Sequence, residues 1–453
     1  MTERPDPGSA TPASVAVTGK VRTSGSPESR RAAAFACLGL AVSLPILVWI
    51  YLPAGNGLDI RGHAIGRDFI NVWAGTRLAF SGEVATLFDL PGSVDAIGRL
   101  FGVPLPFHSW SYPPSAFALF LPFAVPPYFV ALAVWTAVSF AAFAWVTLSP
   151  LARERRPLAL LLLVLAPASL INMVGGQNGF FSAALLLGSL LWLDRQPIAA
   201  GVLIGILTVK PQLGVVLPLA LVALGAWRTI AAAAVTALLL VGLSIAVFGI
   251  EPWQRWLDVT LPFHLFTLQR FDGFYTTMMV SVLAGARTVG IPYGEAFGLQ
   301  IAVALPVVAV AAWAVRRTGD PCRRAFVLAS AAPLATPYAF SYDLTALAVP
   351  LVWVLAGRLP WRSRWRAVLL LAWVIPTGTM VATMLGLGLA PLVSIAVFAV
   401  AVAEAVNGPR RCSGAGGAGR RENAPGTGSR RWVRPHRDRP SRSGFPETPP
   451  CGA

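Results

Sequence analysis

The stretch RPLALLLLVLAPASLINMVGGQNGFFSAALLLGSLLWLD, residues 156–194, holds 37 uncharged residues between Arg156 and Asp194. The hydrocarbon core of a bilayer takes about 20 helical residues. The stretch is therefore long enough to cross twice and come back to the side it left. Gly175 and Gly176, followed by polar Gln177 and Asn178, mark the turn between the two crossings. Runs of Leu, Ala and Val of this length read as helices rather than barrel strands, because a helix satisfies its own backbone hydrogen bonds in lipid.

The same measure extends outward along the chain. Between Arg31 and Asp59 lie 27 uncharged residues, between Arg99 and Arg153 there are 53, and between Arg366 and Glu404 another 37. Intervals of 14 to 22 residues separate Arg195, Lys210, Arg228 and Glu251, and again Glu295–Arg316, Arg324–Asp343 and Asp343–Arg358. The composition agrees: charged residues are 12%, hydrophobic residues 55%, and the mean hydropathy is +0.65. A soluble globule of 453 residues would have to leave much of that apolar surface in water, so that class is excluded. The expectation is an all-α, polytopic helical membrane protein with about twelve spans over residues 32–407.

Orientation follows from Lys and Arg. Clusters at Arg153–Arg156, Arg316–Arg324 and Arg358–Arg366, with Arg195, Arg228 and both termini, place 28 basic residues on one side and 8 on the other. The N and C termini are thus expected in the cytoplasm, in a plasma membrane, with external loops at 54–113 and 250–294. Ala32–Pro53 is expected to be an uncleaved span rather than a signal peptide, being longer than a signal core. Parity requires Ser115–Ala124 to be a short re-entrant or interfacial helix. It also requires residues 197–226 to form a hairpin turning near Lys210-Pro211. Tails 1–31 and 408–453 are polar, rich in Pro, Ser and Gly, and expected to be disordered.

The net charge of +16 raises the question of nucleic acid. The basic C-terminal tail has almost no interleaved aromatic residues, so membrane lipid is its expected partner and nucleic acid is not. Four scattered Cys and four scattered His show no disulfide framework and no metal-ligand spacing.

The first external loop carries GRDFINVWAGTRLAFSGEVATLFD (66–89) and HSWSYPPSAFALFLP (108–122). GGQNGFF (175–181) and AGVLIGILTVKPQLGVVLPL (200–219) follow in order. Together these resemble glycosyltransferase family 87, integral-membrane enzymes of the GT-C superfamily. The resemblance implies an inverting hexosyltransferase that takes a sugar, mannose above all, from a polyprenyl-phosphate donor to an extracytoplasmic lipid or glycan. A donor already embedded in lipid requires no nucleotide site, no cofactor is expected, and the isolated external acids argue against a metal. ATPYAFSYDL (335–344) lacks the Trp and His of the family's C-terminal signature. The rival is a transporter or flippase of lipid-linked sugars, but no internal repeat supports it.

In-line transfer needs a carboxylate to take the acceptor's proton and a cation to steady the departing phosphate. Asp68, soon after the first span as the superfamily implies, is the expected base; the bland alternative is that it caps the helix starting near Phe69. Asp59 looks like part of a flexible Gly-rich turn. Asp89 is expected to end a helix or to pair with Arg77 or Arg99. Lys210 follows 14 apolar residues, about 21 Å of helix, which puts its ammonium near the outer hydrophobic boundary. It is expected to bind donor phosphate, with Arg67 and Arg270 as further candidates, unless it merely snorkels to water. Gln177, Asn178, Tyr112, Asp343, Tyr342 and His264 are the candidates for sugar or acceptor contacts. In the second loop Trp253, Trp256, Phe263 and Phe266 fit either a carbohydrate site or an interfacial helix.

Overall fold

The structure, a computed structural model, describes residues 27–408. The tails expected to be disordered lie outside the described residues, except that the first helix, α1 (Pro27–Tyr51), already includes residues 27–31. Pro27 and Glu28 occupy its first turn, where a missing N–H costs nothing and a carboxylate suits the helix dipole. Glu28 also pairs with Arg155.

A departure from the all-α expectation follows: a small antiparallel hairpin, β1 (Pro53–Gly55) and β2 (Leu58–Asp59). Asn56 and Gly57 turn it at φ of 50° and 75°, the Asn-Gly pairing that a tight hairpin turn demands. The rest of the first loop is folded too, as α2 (Phe69–Phe80), a 3-10 turn at Val84–Phe88 and α3 (Leu90–Phe101). Asp89 ends that 3-10 turn, as expected, and stands before α3. Arg77 is not its partner: the guanidinium donates to the carbonyls of Ala124, Val125 and Pro126 and lies over Trp73. It holds the end of α4 (Ala116–Ala124), the short helix that parity required.

The long α5 (Tyr128–Leu148) leads to α6 (Arg156–Leu165) and α7 (Pro167–Gly175), a pair bent by 56°. Pro167 has no N–H to continue the helix, and Ala166 before it is extended. After α8 (Gly179–Trp192) come α9 (Pro197–Leu207), a 3-10 turn at Pro211–Gly214 and α10 (Leu217–Ala223). Pro197 and Gly225–Arg228 line one cavity while Lys210 and Pro211 line another, so this segment is the expected hairpin. Next are α11 (Trp227–Phe248), then α12 (Glu251–Arg255) and α13 (Leu261–Arg270), joined through a π turn at Trp256–Thr260. The chain closes with α14 (Val282–Thr288), α15 (Tyr293–Val315), α16 (Pro321–Ala335), α17 (Thr345–Leu355), α18 (Arg366–Met384) and α19 (Ala390–Val406).

Five helices among the described residues are long and apolar enough to cross a membrane: α1, α5, α11, α15 and the one that contains α18. The bent α6–α7 pair makes a sixth. This is a multi-pass helical membrane fold, but with five or six full-length spans where about twelve were expected. The discrepancy is physical. Charge-free length counts residues, whereas prolines and polar turns cut the apolar runs into shorter helices such as α9, with 11 residues, and α10, with 7. The helix α11 turns its apolar side chains outward, with Leu238 and Leu239 69% and 67% exposed, as a helix facing lipid does.

One large apolar core joins α1, α5–α8 and α15–α19 around Trp353, Trp373 and Phe326. A second, aromatic core of Phe69, Trp73, Trp110, Phe117, Phe120 and Trp135 welds the first loop onto α5. That aromatic core fixes where α2 begins, and hence where Asp68 points.

Candidate functional site

Asp68 stands immediately before α2 with a helical backbone, and its side chain makes no cap hydrogen bond. The capping role weighed from sequence is therefore absent, and the carboxylate is free for the cavity beside it. Two glycines permit this placement. Gly176 ends α7 at φ 57°, and a Cβ there would come within 2.5 Å of the Gly66 carbonyl oxygen and 2.8 Å of the Phe69 Cβ. Gly66 itself has φ 83°. The GGQN turn can thus lie flat against the start of α2. The Asp68 N–H donates to the Gly175 carbonyl at 3.2 Å, and the Gln177 side chain hydrogen-bonds the Asp68 carboxylate.

The carboxylate opens on a cavity of about 710 Å³. Of the residues expected from sequence, Asp68, Tyr112, Gln177, Asn178, Lys210, His264 and Tyr342 all line it. A polar chain crosses its wall. The Tyr112 hydroxyl accepts from Asn178 Nδ2 at 2.7 Å, and Asn178 Oδ1 accepts from Lys210 Nζ at 2.7 Å. Lys210 also pairs with Asp343 and lies 4.6 Å from the centre of the Tyr342 ring. Asp343 uses its second oxygen to accept the Phe340 N–H at 3.0 Å. Asp343 therefore stands behind Lys210 as its partner. Lys210 is 5% exposed, so it is buried and does not snorkel. An ammonium has three donors; with Asn178 and Asp343 taking two, one remains for a ligand.

Two expected cations stand elsewhere. Arg67 does not line the cavity: it donates to Asp59 and to the Ile50 carbonyl, both at 2.7 Å, and lies over Tyr51. Its carboxylate partner also accepts the N–H groups of Arg61 and His63, so Asp59 belongs to a buried ion pair and not to a flexible turn. Arg270 lies on the surface, paired at 2.9 Å with Asp272. Among the aromatic residues of the second loop, Trp256, Phe263 and Phe266 line the cavity, while Trp253 donates to Ser244 on α11.

The electrostatics separate the ionisable groups. Burial raises the Asp68 pKa above the usual carboxylate value, and the Gln177 hydrogen bond and the charges of Arg67 and Lys210 only partly oppose it. His264 is pushed down to about 4 by burial. His108 is also lowered to about 4, by burial first and then by His63 and Arg67. Both imidazoles are neutral at physiological pH. A carboxylate with a raised pKa, next to a buried ammonium with a donor to spare, can accept a proton and steady an anion in the same space.

Several lining residues were missed from sequence. Asn71 sits one turn beyond Asp68 on α2, and its Oδ1 is buried without a hydrogen-bond partner among the described residues. The i, i+3 spacing is a signal that would have found it. His108 lines the cavity with its Nε2 likewise unpartnered, and Tyr338 stacks on His264 at 4.9 Å. Nothing in the sequence marked His108, whose role depends on how residues 105–115 pack. No group of three or more His, Cys, Asp or Glu placed to hold a metal occurs among the described residues.

Among known proteins, the sequence model of glycosyltransferase family 87 matches residues 110–337, half of the chain. The matched segment includes Tyr112, Gln177, Asn178, Lys210 and His264, and stops short of Asp68 on one side and Asp343 on the other. No curated protein and no solved structure matches the chain.

Proposed function

This chain belongs to glycosyltransferase family 87, and on that premise we propose that it is an inverting hexosyltransferase using a polyprenyl-phosphate sugar, mannose first among the candidates. The acceptor is an extracytoplasmic lipid or glycan. The observation that carries the proposal is the uncapped Asp68 carboxylate sharing one cavity with the buried Lys210 ammonium.

In the proposed step the acceptor hydroxyl oxygen attacks the sugar C1 from the face opposite the phosphate. Its proton passes to an Asp68 oxygen as the new C–O bond forms. The bond from C1 to the phosphate oxygen breaks, and its electron pair stays on the lipid phosphate. Lys210, held in place by Asn178 and Asp343, donates to that phosphate. Gln177 orients the Asp68 carboxylate, and Tyr112, Asn178 and Tyr342 border the sugar. His264 lines the cavity on the proposed acceptor's side, its Nε2 buried and without a hydrogen-bond partner among the described residues. Arg67 acts by fixing the loop that carries Asp68, and Arg270 remains at the rim with Asp272.

Membranes supplied with labelled polyprenyl-phosphate hexoses are expected to form a glycosylated product that Asp68→Asn abolishes. An unaffected Asp68→Asn variant overturns the base assignment. Translocation of the lipid-linked sugar in proteoliposomes without product would favour a transporter.

Residues 32–407 form the proposed catalytic domain, in a plasma membrane, with its long apolar helices crossing the bilayer and its shorter ones crossing it in part. The site faces outward and both termini lie in the cytoplasm. The bias of Lys and Arg supports this, together with the grouping of Arg228, Arg316 and Arg324 around a cavity that shares no residue with the Asp68 cavity. Glu83→Cys is expected to react with a membrane-impermeant maleimide in intact cells and Arg153→Cys is not; the reverse pattern inverts the topology.

A further inference from the structure

A second cavity, of about 500 Å³, lies where α9 starts, α10 gives way to α11, and α15 ends. The proposed transfer reaction makes no use of it. Its walls include Asp194, Trp227, Arg228, Arg316 and Arg324, so three guanidinium groups face one carboxylate.

Arg324 is 3% exposed and gives both terminal nitrogens to Asp194. Its Nε is buried without a hydrogen-bond partner among the described residues. Such a donor is costly unless a ligand completes it. Arg228 and Arg316 are exposed and form no ion pair among the described residues. The first residues of α11, a helix of 22 residues, border the same space and add the positive end of its dipole. The site is therefore built for a compact anion that can bridge two or more guanidinium groups, and a phosphate does so bidentately.

The surroundings identify the source of that phosphate. Trp227 is 64% exposed beside Arg228, as an aromatic anchor at a headgroup boundary is. From there Val235, Leu238 and Leu239 continue along α11 with exposed apolar side chains, an i, i+3, i+4 track for an acyl chain. We propose that this cavity binds the phosphate of an anionic phospholipid, its headgroup on Arg228 and Arg316 and its acyl chains along α11. The proposal is independent of the sugar chemistry at Asp68.

The test uses the full chain purified in detergent and native mass spectrometry, titrated separately with phosphatidylglycerol, phosphatidylcholine and inorganic phosphate. Phosphatidylglycerol is expected to bind more tightly than phosphatidylcholine. The double variant Arg228→Ala, Arg316→Ala is expected to weaken phosphatidylglycerol by about tenfold or more. The double variant Arg153→Ala, Arg364→Ala, which removes equal charge outside the cavity, is expected to bind it as the parent does. Equal loss in both double variants, or no loss in the first, overturns the proposal. Displacement of phosphatidylglycerol by inorganic phosphate would assign the cavity to a soluble phosphate and overturn the lipid.

Discussion

Two buried ion pairs lie close to the same site, and they differ in what is left over. Asp59 and Arg67 satisfy one another and their surroundings: Asp59 takes two backbone N–H groups besides the guanidinium, and Arg67 takes a carbonyl and an aromatic face. Lys210 and Asp343 are equally removed from water, yet Lys210 lines the cavity and keeps one donor uncommitted. A closed pair holds a loop, whereas an open pair holds a charge ready for a ligand. Burial alone does not distinguish them, since either pair is costly to break and neither is strong evidence for stability.

The comparison breaks most visibly at the two acids of the first loop. Asp68→Asn is expected to lower transfer by about 10²- to 10⁴-fold, the range for loss of a general base, with an unchanged melting temperature. Asp59→Asn strands Arg67 and is expected to lose about 3–5 kcal/mol of stability, read by thermal unfolding in detergent. The fraction that remains folded should retain its turnover. A large turnover loss in folded Asp59→Asn would show that the closed pair is part of the chemistry.

Lys210→Met tests the open pair. It is expected to cost about 10²-fold in turnover, as loss of one stabilising donor does, and also to destabilise by stranding Asp343. Adding Asp343→Leu removes the stranded charge, so the double variant should regain stability while remaining inactive. Recovery of activity together with stability would reduce Lys210 to a structural role.

The pH profile sharpens the contrast further. Because the Asp68 pKa is raised, its proton-accepting form is lost as pH falls through that raised value, and transfer should fall with it. His108 and His264, pushed down to about 4, stay neutral through that window. An acid limb that persists in His108→Gln and His264→Gln variants therefore belongs to the carboxylate, and a limb that vanishes in either variant does not. The smallest effect is expected from Tyr112→Phe. It removes the acceptor for Asn178 Nδ2 and should cost about 1 kcal/mol, measured as a several-fold loss of turnover with KM little changed.

Much of the site was legible because a membrane makes polar residues conspicuous. Lys210 and the Gln177-Asn178 pair stand out in long apolar stretches, and all three line the cavity. Asp343 stands out in the same way, and the structure makes it the partner of Lys210. Inside the long loop of residues 54–113 that contrast is lost. Arg67 is adjacent to Asp68 in sequence, yet the structure turns it away to Asp59, which had looked like part of a loose turn. His108 carried no mark of its own, and Asn71 only its spacing of three from Asp68. Charge alone left Arg77 as one possible partner of Asp89, whereas the three carbonyls at the end of α4 hold it.

By itself the sequence determined the solvent: charge-free intervals, loop arginines and apolar content require a helical membrane protein, because lipid tolerates no unsatisfied backbone. It also determined the order of the apolar segments and the hairpin around Lys210. Only the tertiary structure decided how many of those segments are long helices, since proline and glycine breaks act through local geometry and not through hydropathy. It alone decided which charges are closed into pairs and which face the cavity. Side chains more than a hundred residues apart, as Lys210 and Asp343 are, meet only when packing brings their helices together.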